Sequence, residues 1–251
     1  MMLFTRTTFI GIDVTAGRRA IAYAALDNLR RPIALGQGNL VDVLAFVGGQ
    51  HSAVVAVNAP PRPNQGALAK LNEAKRLSPS PKGKADYRLA EYKLECRNLN
   101  IHHTPSSDAD CKNWMRVGFE FYKRLRELGF EHYPSQECER QLLEVWTPAS
   151  YHVWLGRAPL PKNSLDGKLQ RQLLLYEMGL DTKDPMRFFE EVTRHRLLRG
   201  ELPLGELYSA SELESMAAAY LAWSAATHPE DIELLGDQDE GQIVVPIRQF
   251  I

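Results

Sequence analysis

The sequence lacks a charge excess of either sign. Its 251 residues carry 30 lysines and arginines against 31 aspartates and glutamates, which leaves a formal net charge of −1. A protein that binds nucleic acid through its whole surface carries a clear excess of basic residues. The composition excludes that mode of binding, so any basic surface must be local.

Cysteine is scarce, and long apolar segments are absent. Cys96, Cys111 and Cys138 are odd in number and have no Cys-x-x-Cys spacing, which argues against a disulfide framework and against a zinc site. No apolar run approaches the ~18 residues of a membrane helix, and residues 1–8 lack the apolar core of a signal peptide. We therefore expect free thiols, no membrane partner and a cytoplasmic location.

Internal repeats and low-complexity tracts are absent as well, which argues against solenoid and fibrous architectures. What remains is an ordinary globular composition, with 44% hydrophobic and 24% charged residues. A chain of this length can bury a sizeable core without disulfides. We predict a single domain over residues 1–251.

The pattern of apolar residues predicts a mixed α/β fold. Residues 9–13 and 20–26 form a hairpin, and residues 32–38 form a weaker third strand interrupted by glycines. The run at 53–57 is β-branched without alternation, which is typical of a strand buried on both faces in a parallel sheet. Residues 141–146 form a later strand.

Helices and one further extended segment complete the pattern. Residues 64–135 form a helical insertion before the fifth strand, with a loop at 78–84, and residues 243–246 are extended. In the last helix, Ser211 followed by Glu214 matches a capping box. The predicted helices span residues 40–47, 66–77, 85–98, 114–128, 168–178, 184–198 and 211–226.

Asp13 is the most informative single residue, because it ends the first strand next to an apolar run. A carboxylate in that position is costly unless something binds it. Metal ions such as Mg²⁺ prefer carboxylate oxygens and water. The alternative is that Asp13 only accepts hydrogen bonds at the end of a hairpin.

The order of the motifs resembles the DUF429 family, whose members are predicted nucleases of ribonuclease-H-like fold. The resemblance extends over nearly the whole chain. It rests on Gly11-Ile12-Asp13, Val55-Ala56-Val57-Asn58-Ala59-Pro60, Cys96-Arg97 with Thr104-Pro105, Leu143-Glu144-Val145-Trp146-Thr147-Pro148, residues 168–171 and residues 213–219.

This resemblance implies a metal-dependent nuclease or phosphodiester hydrolase that acts on DNA or RNA with Mg²⁺ or Mn²⁺. The implied catalytic residues are Asp13, Asn58, Glu144 and Glu214, of which the three acids bind metal and Asp13 bridges two ions. Glu212 is a reserve acid. Phosphodiester hydrolysis with two ions needs such a set, because paired ions stabilise the attacking and leaving oxygens.

The resemblance also implies that Arg97, Lys168 and Arg171 bind the substrate phosphates. Phosphate contacts of this kind position a nucleic acid without reading its sequence. The alternative is that these side chains belong to solvated helix faces. The adjacent pair His102 and His103 is a weaker candidate, since neighbouring residues rarely point at one ion.

The chain departs from the family pattern at two candidate ligands. Asn58 stands where the family has aspartate, and Glu214-Ser215 stands where it has Asp-Ala. An amide in place of a carboxylate removes one negative charge, which weakens binding of a second metal more than binding of the first. A second interpretation is therefore a degenerate protein of the same fold that binds nucleic acid or a protein partner without cleavage.

Two further alternatives remain open. Glu144, within an apolar strand, is either bound to a partner or exposed on an edge strand, and Glu214 is either a metal ligand or an ordinary capping residue. An actin-like ATPase or sugar kinase shares the opening Gly-x-Asp hairpin. That class is disfavoured, because the chain is too short for two copies of the fold and lacks a second glycine-rich phosphate hairpin.

Overall fold

A computed structural model of the chain describes residues 7–15, 20–74 and 87–251. Over these ranges the protein is a mixed α/β structure in which helices flank one sheet, which confirms the predicted class. The strands are β1 (Thr8–Asp13), β2 (Ile21–Leu26), β3 (Pro32–Gly38), β4 (Ala53–Val57), β5 (Glu131–His132), β6 (Arg140–Val145), β7 (Ile232–Asp237) and β8 (Gly241–Pro246).

The helices occupy the connections and cover both faces of the sheet. None of those in the described part of the chain has the length and apolar character needed to cross a membrane. They are α1 (Leu40–Gly48), α2 (Ala67–Ala74), α3 (Leu89–Cys96), α4 (Asn113–Glu127), α5 (Thr147–Leu155), α6 (Leu165–Glu177), α7 (Met186–Glu191), α8 (Arg194–Leu198) and α9 (Ala210–Thr227).

The strand order across the sheet is β3-β2-β1-β4-β6-β8-β7, with the short β5 beside β6. β1, β2 and β3 form an antiparallel meander. β4, β6 and β8 continue from β1 in parallel, and β7 closes the sheet as an antiparallel hairpin with β8. The carboxyl ends of β1, β4 and β6 therefore meet at one edge, where ligands commonly bind in open α/β sheets.

Alternation along the strands assigns each residue to one face of the sheet. Phe9, Ala56 and Leu143 pack with α5, α6 and α9 on one face. Ile12 and Val57 pack with α1 and α4 on the other face. A third apolar cluster lies where α3 covers β7 and β8.

Gly11 determines how closely α9 approaches the sheet. A Cβ built on Gly11 would lie 2.0 Å from the carbonyl oxygen of Ser215 and 2.2 Å from the amide nitrogen of Ala219. The helix backbone can lie directly on β1 only because residue 11 has no side chain. Since Asp13 follows Gly11 by two residues and Glu214 precedes Ser215, this contact also brings the two acids together.

Helix α5 is absent from the sequence prediction, which ended a strand at residue 146 and placed the next helix at residues 168–178. Pro148 instead occupies the first turn of a helix, where a missing amide hydrogen costs nothing because no intrahelical acceptor is available. Trp146 is the N-cap residue and Gly156 ends the helix in the left-handed conformation. The chain thus turns from β6 into α5 without an intervening loop.

The capping box of α9 begins earlier than predicted. The Ser209 hydroxyl accepts a hydrogen bond from the amide of Glu212 at 3.3 Å, and the Glu212 carboxylate accepts one from the amide of Ser209 at 2.7 Å. The prediction that Ser211 and Glu214 form this cap was wrong, because two overlapping Ser-x-x-Glu sequences match the pattern. Glu212 is therefore a capping residue, and Glu214 faces the sheet.

The predicted helix at 184–198 is interrupted. It divides into α7 and α8 because Thr193 caps a new helix, accepting a hydrogen bond from the amide of Arg196 at 3.2 Å. The predicted strand at 243–246 is the end of β8, and its hairpin partner β7 was not predicted. The predicted loop at 78–84 lies outside the described residues.

We predict that Gly11→Ala lowers the free energy of unfolding by about 3 kcal/mol, because a methyl group there overpacks a backbone contact that cannot relax locally. Urea unfolding measures the change. Gly205→Ala is the matched control, since a Cβ at Gly205 meets nothing within 4 Å. Equal stability of the two variants would contradict the close packing of α9 on β1.

Candidate active site

Asp13 ends β1 on the face that α9 covers, and its side chain is fully buried. Its Oδ1 accepts hydrogen bonds from the amide of Thr15 at 3.0 Å, from the Thr15 hydroxyl at 2.6 Å and from Nδ2 of Asn58 at 3.2 Å. Its Oδ2 is buried without a hydrogen-bond partner among the described residues. Because an unsatisfied buried carboxylate oxygen is costly, Oδ2 is a candidate position for a ligand.

Asn58 connects Asp13 with the start of α5. Its Nδ2 donates to Asp13, and its Oδ1 accepts a hydrogen bond from the amide of Thr147 at 3.3 Å. A carboxylate at position 58 could accept from Thr147 but could not donate to Asp13 unless it held a proton. The Asn58 amide can thus donate to Asp13 and accept from Thr147 at the same time.

Glu214 is the second buried acid of the site. Its Oε2 accepts a hydrogen bond from the Thr147 hydroxyl. Its Oε1 lies 3.3 Å from Nε of Arg171, and neither atom has a hydrogen-bond partner in the described part of the chain. Asp13 and Glu214 are therefore linked through Asn58 and Thr147, and each has one oxygen that accepts no hydrogen bond from the described residues.

Burial raises the pKa of Glu214 above its usual value, and the negative charge of Asp13 raises it further. Lys162, Thr147 and Arg171 oppose this shift, because they stabilise the ionised carboxylate. The combined effect is a carboxyl group that holds its proton to a higher pH than an exposed glutamate does.

Two cations adjoin the acids. Lys162 is half-buried, and its Nζ donates to the Thr15 hydroxyl at 3.3 Å. Arg171 is buried on α6, where Nη1 donates to the carbonyl oxygens of Leu160 at 2.8 Å and Gly167 at 3.1 Å. These bonds fix the guanidinium group beside Glu214. Arg171 thus lies at the predicted site.

The other two predicted phosphate-binding residues lie elsewhere. Lys168 lies on α6 but does not line the cleft that the described residues form near Asp13. Arg97 makes a two-pronged ion pair with Glu233 on β7, at 2.7 and 2.9 Å. Because both partners are substantially exposed, this pair belongs to the surface.

The structure does not bring Glu144 to Asp13, which corrects the predicted set. Glu144 pairs in register with Val57 and Ile243, so its side chain points to the face opposite Asp13. There its two carboxylate oxygens accept hydrogen bonds from Nη1 and Nη2 of Arg88, the former at 3.0 Å. Asn58 and Glu214 do adjoin Asp13.

Glu144 belongs to a separate buried network that holds the helical insertion against the sheet. Arg88 Nε also donates to Glu91 at 3.0 Å, and Glu91 accepts from the amide of Thr104 at 3.0 Å. Burial raises the pKa of Glu144 to about 6, although Arg88 partly offsets that effect. The acid therefore has a structural partner, as a buried charge requires.

A cleft of about 550 Å³ opens beside the two acids. Thr15 and Asn58, which hydrogen-bond Asp13, form part of its lining. The aromatic part of the lining is His102, Trp114 and Trp146, and the basic part is Lys162, Arg171 and His152. Its volume lies in the range of small-molecule and cofactor sites.

A different group of three residues has the spacing of potential metal ligands. Potential ligand atoms of His228, Glu230 and Asp231 all lie within 4.8 Å of one another. These residues follow the far end of α9, ~20 Å from Glu214 at 1.5 Å per residue. Asp231 already forms an ion pair with Arg248 at 3.1 Å, and exposed acidic groups are common without a metal.

Sequence reasoning missed the residues that connect the acids. Thr147 was interpreted only as part of a strand end, although a threonine before proline at a helix start offers both an amide and a hydroxyl to an adjacent site. Thr15 is the second residue after Asp13, a spacing at which an aspartate often binds a backbone amide. Arg88 lacks a local pattern that would identify Glu144 as its partner.

Comparison with known proteins supplied no relative. No protein-family model, no curated protein and no solved structure matched the chain. The site is therefore interpreted from its own residues.

We predict that the free energy of unfolding of Glu214→Gln, taken relative to that of the wild type, increases as the pH rises. The folded-state pKa of Glu214 is raised, so the wild type loses stability as the pH rises through that pKa, whereas glutamine does not titrate. Urea unfolding with a chelator at about pH 5 and about pH 8 measures the difference.

The matched control is Glu177→Gln on the exposed side of α6, which we expect to differ from the wild type by less than about 0.5 kcal/mol at both pH values. A Glu214→Gln difference that is constant with pH, or that shrinks as the pH rises, would contradict the raised pKa.

Proposed function

We propose that the protein is a metal-dependent phosphodiester hydrolase that acts on nucleic acid. The observation that carries this proposal is the pair of buried carboxylates Asp13 and Glu214, each with one oxygen that accepts no hydrogen bond from the described residues, beside a cleft with cationic lining. Their position at the carboxyl ends of parallel strands is where ligands commonly bind in such sheets.

We also propose that the fold is ribonuclease-H-like and that the chain is related to the DUF429 family. Support comes from the antiparallel meander β1-β2-β3, followed by the parallel strands β4 and β6 in the order β3-β2-β1-β4-β6. Helix α1 connects β3 with β4, and a helical segment separates β4 from β6. The motif order in the sequence is consistent with this arrangement.

The donor set fits one hard divalent cation better than two. Asp13 Oδ2 and Glu214 Oε1 are oxygens of the type that Mg²⁺ and Mn²⁺ prefer. Asn58 contributes no charge, Glu144 lies on the other face, and Lys162 and Arg171 oppose the charge of the two acids. A cation held by these two oxygens would supply Lewis-acid polarisation of a phosphoryl oxygen and a water of lowered pKa.

The other residues around the acids have separate roles in this proposal. Lys162 and Arg171 bind and orient the substrate phosphate, since both line the cleft. Asn58 and Thr147 hold the two carboxylates in place through the hydrogen bonds described above. Glu214 has a pKa raised by burial and by Asp13, so it holds its proton to a higher pH than an exposed glutamate when no cation is bound.

A second function is favoured by one specific contact. The bond from Asn58 to Asp13 satisfies Oδ1 without a metal, and the two cations supply counter-charge for both acids. That arrangement suits a protein that binds nucleic acid without cutting it. The two functions share the cleft and differ only in whether a cation binds beside Asp13.

We predict that Asp13→Asn lowers Mg²⁺- or Mn²⁺-dependent cleavage at least about a hundredfold, the scale expected for removing one electrostatic group from an active site. The assay uses single- and double-stranded DNA and RNA. Asp239→Asn, an exposed residue in the β7–β8 turn, is the matched control and should cleave as the wild type does.

Cleavage that survives in Asp13→Asn would reject the proposed site. A wild-type protein that binds these substrates but cuts none of them would support the second function instead.

We predict that Asn58→Asp restores a stronger cation site at the cost of stability. Without divalent cations, a second buried carboxylate beside Asp13 should destabilise the protein by about 2 kcal/mol, because like charges cannot both ionise at close range. Mn²⁺ should raise the melting temperature of this variant more than that of the wild type.

Asn28→Asp adds the same charge at an exposed turn and serves as the control. If Mn²⁺ shifts the melting temperature of Asn58→Asp no more than it shifts that of the control, a cation site at Asp13 is excluded.

A further inference from the structure

We propose that the aromatic part of the cleft, formed by His102, Trp114 and Trp146, is a stacking site for an unpaired nucleobase, so that the substrate is single-stranded nucleic acid. This inference rests on the proposed function, because it assigns a substrate class to the same cleft. It does not depend on cleavage, since stacking and hydrolysis involve different residues.

The three rings form one continuous cluster. The Trp114 and Trp146 rings are stacked, with centroids 6.1 Å apart and an interplanar angle of 25°. The His102 ring lies 6.0 Å from Trp114 and 5.6 Å from Trp146. Trp146 is nearly buried, Trp114 is half-buried and His102 is exposed. The cluster thus extends from the core to the mouth of the cleft.

A hydrogen bond fixes the Trp146 indole at the wall of the cleft. Nε1 of Trp146 donates to the carbonyl oxygen of Asn100 at 2.9 Å, which satisfies the polar atom of the indole. All three residues line the cleft. A base that enters the cleft therefore meets aromatic surface, which stacks on any base irrespective of sequence.

The aromatic cluster adjoins the acids and the cations. Trp146 directly precedes Thr147, whose hydroxyl donates to Glu214. Lys162 and His102 line the same cleft, and the positive charge of Lys162 is among the causes that lower the pKa of His102. The largest cause of the lowered pKa is desolvation of the part of the ring that its neighbours cover, and the lowered pKa favours the neutral imidazole.

Charge and shape together select a single strand. Lys162 and Arg171 complement backbone phosphates, while the aromatic rings need a base whose face is free. In a duplex, both faces of each base are covered by neighbouring base pairs, whereas the unstacked bases of single strands are routinely bound on aromatic side chains. A base on the rings with its phosphate at the cations satisfies both parts of the cleft.

The test measures binding of the full-length protein in a chelator, so that cleavage does not interfere. Three probes are compared: an oligothymidylate of about ten nucleotides, its duplex, and an abasic strand of equal length with the same phosphates. We expect the single strand to bind at least about tenfold more tightly than either of the other probes, since each stacked base contributes on that scale.

The variants His102→Ala and Trp114→Leu should each weaken binding of the oligothymidylate about tenfold and leave binding of the abasic strand unchanged. Phe189→Leu replaces an exposed aromatic residue on α7, outside the cleft, and should bind all three probes as the wild type does. Urea midpoints establish that each variant is folded. If Trp114→Leu does not fold, His102→Ala still tests the stacking site, because His102 is exposed and its removal should affect folding little.

Any one of three results would overturn the inference. They are equal binding of the abasic and thymidylate strands, wild-type affinity of His102→Ala for the oligothymidylate, and no binding of any probe. Different results would contradict the proposed function and the stacking site. Base-dependent binding without cleavage in Mn²⁺ contradicts the hydrolase alone, and cleavage of single strands and duplexes at equal rates contradicts the stacking site alone.

Discussion

The backbone contact between Gly11 and α9 is the constraint on which the site depends. A helix that packs on a sheet through side chains lies about 10 Å from it, whereas here the helix backbone would touch a Cβ on β1. That proximity places Glu214 near enough to Asp13 for one charge to shift the pKa of the other. A buried pair of acids is unfavourable for folding unless it is compensated, and in this site Lys162 and Arg171 supply the opposite charge.

Strand register separates two acid networks that the sequence places side by side. Glu144 and Asn58 both lie at the carboxyl ends of parallel strands, but Glu144 is paired with Val57, one residue before Asn58. Because side chains alternate between faces, that single step sends Glu144 to Arg88 and Asn58 to Asp13. One network holds the insertion on the sheet, and the other lies beside the cleft.

The parts of the fold that could be predicted are those whose sequence pattern has one physical cause. The strands β1 to β4 follow from β-branched runs bounded by glycine, proline and asparagine, and their predicted positions agree with the structure to within about one residue. The face of Glu144 could not be predicted, since β6 is apolar on both faces and shows no alternation. Helix α5 was missed because a proline just after a strand fits two patterns, the end of the strand and the first turn of a helix. The sequence around Pro148 does not distinguish between them.

Arg171 is the residue at which binding and catalysis compete. Its Nε faces Glu214, while Nη1 is committed to two backbone carbonyl oxygens, so the guanidinium group cannot move far. With Glu214 ionised, Arg171 neutralises that acid and has less charge to offer a phosphate; with Glu214 protonated, the arginine is available to the substrate. Burial and Asp13 raise the pKa of Glu214 and so favour its protonated form, whereas a cation on Glu214 needs the ionised form. Phosphate binding by Arg171 and cation binding by Glu214 therefore oppose each other, and this is where the hydrolase and the non-cleaving protein differ.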